Sequence, residues 1–159
     1  MSMEYLSQEA FDKISAELEN LINVEFPRIK DELSEARAQG DLSENFEYHA
    51  AKRAQGKIIG RIRFLQNVLK FSKVIDPATL PQGEVTLLSR VDFTNLATGA
   101  RMTYTIVSPH EMNIQEGKIS LKSPIGQALM GHKAGDEVSL QVPSGTLRLK
   151  IEKVASSGE

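Results

Sequence analysis

The chain has 159 residues, 40% of them apolar and 25% charged, with a formal net charge of −2 and no cysteine. That length holds one ordinary domain or two small ones, the missing cysteine excludes a disulfide framework and any thiolate metal site, and the small negative charge excludes a field that would hold nucleic acid over the whole surface. The first residues show no secretory signal and no apolar run approaches the ~18 residues of a membrane span, so the chain reads as cytoplasmic with no membrane partner.

Over 11–36 the apolar residues fall at Phe11, Ile14, Leu18, Ile22, Phe26, Ile29, Leu33 and Ala36. Steps of three and four mark one helical face. Ser7 stands where an N-cap belongs, and Pro27, which has no N–H to donate, predicts a kink or local distortion. Over 48–69 the seam is stricter: Tyr48, Ala51, Gln55, Ile58, Ile62, Leu65 and Leu69 follow a heptad with one polar position. The short link between the two contains Gly40, which suits a helix C-terminus. Two long amphipathic helices joined this way predict an antiparallel coiled-coil hairpin over 1–76.

Charge favours pairing within one chain. Residues 9–35 hold eight acids and three bases, whereas 45–73 hold one acid, Glu47, and seven bases. An acidic helix beside a basic one gains flanking contacts, while two copies of either repel. The expected state is a monomer. At ~1.5 Å per residue, arms of about 28 residues would make a rod roughly 40 Å long, a spacer or a probe.

Pro77 and Pro81 mark a linker, and the period then becomes two. Val85, Leu87, Val91 and Phe93 lead to a turn at Asn95 to Gly99; Met102, Tyr104 and Ile106 follow. Ile119 and Leu121 suggest a short strand, and Ser123-Pro124 reads as N-cap and first residue of a brief helix closing at Gly131. Val138, Leu140 and Val142, then Leu147, Leu149 and Ile151, alternate around Pro143-Ser144-Gly145 as a last hairpin. Residues 77–159 therefore predict an antiparallel sheet with one short helix, which makes the whole chain α+β.

Chemistry gathers where the rod turns, in Gly40-Asp41-Leu42-Ser43-Glu44-Asn45-Phe46-Glu47-Tyr48. Asp41 with Glu44 three residues on has the spacing of a capping box, which would only secure the second helix. Alternatively, the two carboxylates face outward and bind a hard divalent cation. Two carboxylates are too few for a self-sufficient Mg²⁺ site, which needs six oxygens, so such a metal would be shared with another molecule. The residues alone leave both readings open.

Ala36 through Asn45, followed by Glu47-Tyr48-His49-Ala50-Ala51-Lys52, resembles the signature of the bacterial transcript-cleavage factors of the GreA/GreB family. Ser123-Pro124-Ile125-Gly126-Gln127-Ala128-Leu129-Met130-Gly131, with Gly135-Asp136 beyond, is similar to that family's C-terminal motif. The resemblance implies a coiled coil that enters the secondary channel of RNA polymerase and an FKBP-like C-terminal domain that docks outside it. It implies that Asp41 and Glu44 help retain a second Mg²⁺ in the polymerase's active centre, with none bound by the isolated protein, and that Ser43 supports the tip. The polymerase itself would then hydrolyse its backtracked RNA, so the chain is an activator and not an enzyme. Arg37, Lys52 and Arg53, a turn or two behind the tip, would contact phosphates near the 3′ end of the nascent RNA, against the alternative of pairing with Asp31, Glu35 or Glu47. Ser123 and Pro124 match the segment associated with polymerase docking. The modest basic patch leans towards the GreA-like side. One departure is Phe46, where the family commonly has alanine.

Two rivals follow from the same likeness. A channel-blocking regulator would share the hairpin and inhibit transcription without cleavage. A peptidyl-prolyl isomerase would need an aromatic-lined apolar pocket, and after residue 77 the only aromatics are Phe93 and Tyr104, both on core-like strand patterns.

Overall fold

The two periods of the sequence build two different units, the first helical and the second based on a sheet. A computed structural model describes residues 4–40 and 45–156. It divides the chain into Gln8–Lys73 and a second unit made of Glu4–Ser7 with the chain from Val74 onward. Glu4–Ser7, which the sequence reading assigned to the hairpin, thus groups with the sheet unit.

In the second unit the chain opens with β1 (Glu4–Leu6). The first unit begins with α1 (Gln8–Asn20), widens into a π-helical turn over Leu21–Glu25, and resumes as α2 (Phe26–Arg37). The returning arm is α3 (Phe46–Lys70), 25 residues long. Ile29, Leu33 and Ala36 from α2 are buried, as are Ala51, Leu65 and Val68 from α3, and every position of the expected heptad seam is at least half-buried. Burial of this stripe, more than helix propensity, holds long exposed helices in place.

The distortion expected at Pro27 lies in the turn before it. Pro27 occupies the start of α2, and Phe26 N–H bonds to the Leu21 carbonyl, five residues back. Proline cannot donate to the Asn23 carbonyl, and its ring crowds that oxygen; a π turn accommodates both by admitting one extra residue. The extra residue corrects one expectation. Ile22, placed on the buried face by its spacing, is 41% exposed, and Leu21 takes the half-buried position.

The second unit carries the sheet. After β2 (Ser72–Val74) come β3 (Arg90–Asn95), β4 (Arg101–Val107), β5 (Lys118–Ser120), α4 (Pro124–Leu129), β6 (Glu137–Val142) and β7 (Gly145–Ala155). Five strands form one sheet in the order β5-β4-β3-β7-β6. Three of its pairs are antiparallel, but β4 and β5 run parallel, so the wholly antiparallel sheet expected from sequence is corrected to a mixed one. The reason is the connection. Residues 108–117 form two 3₁₀ turns instead of a tight hairpin, and the chain re-enters the sheet in its original direction.

Val85, Val91, Phe93, Ile106, Ile119, Leu129, Val138, Leu149 and Ile151 form the core of this unit. Val85 and Leu87 were expected to begin a strand. The chain there makes a turn instead, with Leu88 at φ 71°, and β3 starts only at Arg90. Leu88 N–H bonds to the Ile106 carbonyl at 2.6 Å and its side chain is buried, so packing sustains a backbone conformation that leucine rarely adopts. The N-terminal segment is tied in at several points. The Leu6 carbonyl accepts from Ile75 N–H at 2.8 Å, and Glu111 accepts from both the backbone N–H and hydroxyl of Ser7 at 3.1 and 2.7 Å.

Candidate functional site

The hairpin turn is built from two helix ends. α2 stops at Arg37 with Ala38 as its C-cap, and Gly40 at φ 120° takes a backbone conformation that side chains disfavour. α3 starts at Phe46 with Asn45 as N-cap. The Asn45 carboxamide oxygen accepts from Tyr48 N–H at 3.0 Å, while its nitrogen donates to the Ala36 carbonyl at 2.6 Å. One side chain therefore satisfies an orphan donor of α3 and adds a second donor to the Ala36 carbonyl, which also accepts from Gln39 N–H at 3.2 Å.

Asp41, Ser43 and Glu44 lie outside the described residues. The position of α3 still bears on the capping-box reading, because the capping oxygen for α3 comes from Asn45. Sequence reasoning passed over Asn45. Its signal was an asparagine directly before a long apolar period, a preferred N-cap residue in the right place.

Arg37 projects over the Tyr48 ring, its guanidinium carbon 5.6 Å from the ring centroid, and the Tyr48 and His49 rings meet edge to face at 5.3 Å. Among the described residues, Arg37, Lys52 and Arg53 have no carboxylate within ion-pairing distance, so the expected alternative of pairing with Asp31, Glu35 or Glu47 is not realised there. All three are exposed. Farther back, Arg61 is paired: its guanidinium donates to both carboxylate oxygens of Glu17 on α1, at 2.8 and 3.1 Å. That hydrogen bonding raises the Arg61 pKa above its usual value.

Behind the tip, α2 and α3 enclose a groove of about 450 Å³ with Ile29, Ala36, Ala51 and Ala54 in its wall and Glu32, Glu35 and Glu47 around it. Its lining carries three acids and, among the described residues, no Lys or Arg, so it does not attract phosphates. Among the described residues no group of three or more His, Asp or Glu side chains could hold a metal ion. Asp41 and Glu44, the acids expected to support a metal, lie outside the described residues; by chemistry alone, two carboxylates are a donor set that fits only a metal completed by another molecule.

In the second unit, Ser123 caps α4 as expected: its hydroxyl accepts from Gly126 N–H at 3.1 Å and donates to the Ser120 carbonyl at 2.6 Å. Pro124 follows as the first helical residue and is exposed. A Cβ on Gly126 would lie 2.2 Å from the Ser120 carbonyl oxygen, so this tight turn requires glycine. The Phe93 ring is fully buried and lies 5.8 Å from that of Tyr104, which packs against the same core. Both serve the core.

Residues 4–74 match the family profile described as transcription elongation factor, N-terminal, and 80–156 match that of transcription elongation factor, GreA/GreB, C-term. The chain belongs to the GreA/GreB family. It is 45% identical over 154 residues to the transcription elongation factor GreA of Helicobacter hepaticus, covering 97% of this chain and 94% of that one. To the GreA of Christiangramia forsetii it is 40% identical over 152 residues, 96% of each chain. Among solved structures, the GreA factor homolog 1 of Thermus thermophilus is 27% identical, with a TM-score of 0.45, covering 97% of this chain and 99% of that one. GreA/GreB membership accounts for both segments singled out in the sequence, the turn around Gly40 and the capped helix at Ser123.

Proposed function

We propose that this chain is a transcription elongation factor that binds RNA polymerase and stimulates the polymerase's own cleavage of backtracked nascent RNA, rescuing arrested complexes. The observation that carries this reading is the likeness, over nearly the full length of both chains, to proteins named transcription elongation factor GreA. The hairpin is read as an antiparallel coiled coil that passes through the secondary channel, and the sheet unit over 77–159 as an FKBP-like domain that docks outside it through the segment containing Ser123 and Pro124.

In this reading Asp41 and Glu44 present carboxylate oxygens to a Mg²⁺ shared with the polymerase and orient the attacking water, and Ser43 supports them. Paired metal ions in such a centre lower the barrier by activating the water and stabilising the leaving oxygen. Asn45 ties together the helix ends that flank these residues in sequence. Arg37, Lys52 and Arg53, exposed and without acidic partners among the described residues, supply a sequence-independent attraction for RNA phosphates near the 3′ end. In this reading the factor acts as a cytoplasmic monomer with no membrane partner.

The deciding measurement is transcript cleavage by halted, backtracked complexes with wild type, Asp41→Asn and Glu44→Gln. Each variant keeps its affinity for polymerase while cleavage falls by about a hundredfold, the usual scale for removing one electrostatic group from a reacting centre. Normal cleavage by both variants would remove the metal role. A wild-type protein that binds polymerase and shortens no RNA would instead be a channel-blocking inhibitor. Turnover of a proline peptide would revive the isomerase reading, which the buried Phe93 and the half-buried, core-packed Tyr104 disfavour.

A further inference from the structure

Phe46 is the first residue of α3 and is 89% exposed, the most exposed large apolar side chain among the described residues. It contributes almost nothing to the packing of its own hairpin. Its backbone is nevertheless fixed, because the preceding Asn45 is bonded to both helix ends. At 100° per residue, positions three, seven and eleven after Phe46 share its face of the helix. Those positions are His49, Arg53 and Lys57, all exposed. Among the described residues neither Arg53 nor Lys57 has a carboxylate within ion-pairing distance. The seam residues Tyr48, Ala51, Gln55 and Ile58 take the opposite side, so this face points away from the partner helix.

An exposed aromatic ring at the head of a row of exposed cations has the chemistry of single-strand nucleic-acid binding: rings stack on bases and cations track the phosphates. An apolar protein wall would match the ring but leave the cations without counter-charge. We propose that Phe46 is a stacking platform for an unpaired RNA base, with Arg53 and Lys57 holding the phosphates beside it. In the backtracked complex the occupant is the extruded 3′ segment, a placement that rests on the function proposed above. Because every base presents a π face, the platform accepts any sequence and favours purines, which offer the larger ring.

The test uses full-length protein and backtracked polymerase complexes carrying 2-aminopurine at the RNA 3′ end, whose fluorescence falls when the base is stacked. Stopped-flow mixing reads the signal before product forms. Wild type and Phe46→Trp quench the probe; Phe46→Leu and Phe46→Ala do not. In parallel cleavage assays the half-saturating concentration of the Leu and Ala variants rises about tenfold, equivalent to about 1.4 kcal/mol. If Phe46→Leu matches wild type in both readouts, the contact is apolar and the stacking proposal falls. If Phe46→Ala also matches, the ring is idle and the proposal falls again. Quenching by wild type without cleavage would refute the proposed function and keep the platform; cleavage without quenching would do the reverse.

Discussion

Asn45 shows how one side chain can define the end of a hairpin. Replacing it by alanine removes an N-cap acceptor from α3 and a donor from the Ala36 carbonyl. Loss of a cap costs about 1 kcal/mol, and a second bond to a half-buried carbonyl adds a comparable amount. Asn45→Ala should therefore lower hairpin stability by about 1–2 kcal/mol in urea unfolding followed by circular dichroism. Asn45→Asp keeps the acceptor, places a carboxylate against a carbonyl, and should recover only part of the loss. A second residue-scale expectation concerns Asp136. Its carboxylate accepts from Lys133 N–H at 2.9 Å and lies 3.3 Å from His132 Nδ1. The backbone bond, followed by His132, holds its pKa below the usual value. A depressed carboxyl pKa stabilises the fold above the unfolded-state value, and this contribution disappears as pH falls through the folded-state value. Asp136→Asn should thus lose stability relative to wild type at neutral pH, with the difference closing below about pH 4, as followed by thermal denaturation across pH.

At the scale of elements, the question is what keeps the arms of the hairpin together. The Glu17–Arg61 bridge is bidentate, but its side chains are 42% and 48% exposed, and exposed pairs contribute about 0.2–1 kcal/mol. Leu65 is 2% exposed, and truncating a buried leucine costs about 2–5 kcal/mol. The apolar seam dominates. Leu65→Ala should destabilise the hairpin several times more than Glu17→Gln, and only the effect of Glu17→Gln should shrink in high salt. Equal losses in denaturant titrations would overturn that ranking. The π turn belongs to the same scale: a single proline alters the turn before it and moves Ile22 off the buried face.

At the scale of the molecule, the first strand belongs to the unit formed mostly by the far end of the chain. Glu111 binds the backbone and hydroxyl of Ser7; nearby, Glu4 lies 2.6 Å from His110 and 3.7 Å from Lys122. These contacts join residues about a hundred positions apart. Glu111→Ala should speed amide exchange at Ser7, and at Ile75 beside it, by about tenfold, while amides of β3 and β7 keep their protection. Unchanged exchange at Ser7 would show that Leu6, fully buried, anchors the segment alone.

Much of this architecture could be read from residue order, because period and turn chemistry are local. Steps of three and four marked the helices, alternation marked β3, β4, β6 and β7, Ser123-Pro124 marked α4, and the Gly40 to Asn45 motif marked the tip. Other features depended on contacts that no local window contains. The parallel entry of β5 follows from the path of residues 108–117, the turn at Leu88 from packing and a bond to Ile106, and the place of Glu4–Ser7 from partners beyond residue 74. The same division runs through the tip. Sequence determined that two acids and several cations gather beside Gly40; tertiary structure decided that Asn45 binds both helix ends, that Arg37 rests on Tyr48, and that Phe46 stays in solvent. A side chain's chemistry is written in the sequence, but its partners are set by which distant groups the fold brings within reach.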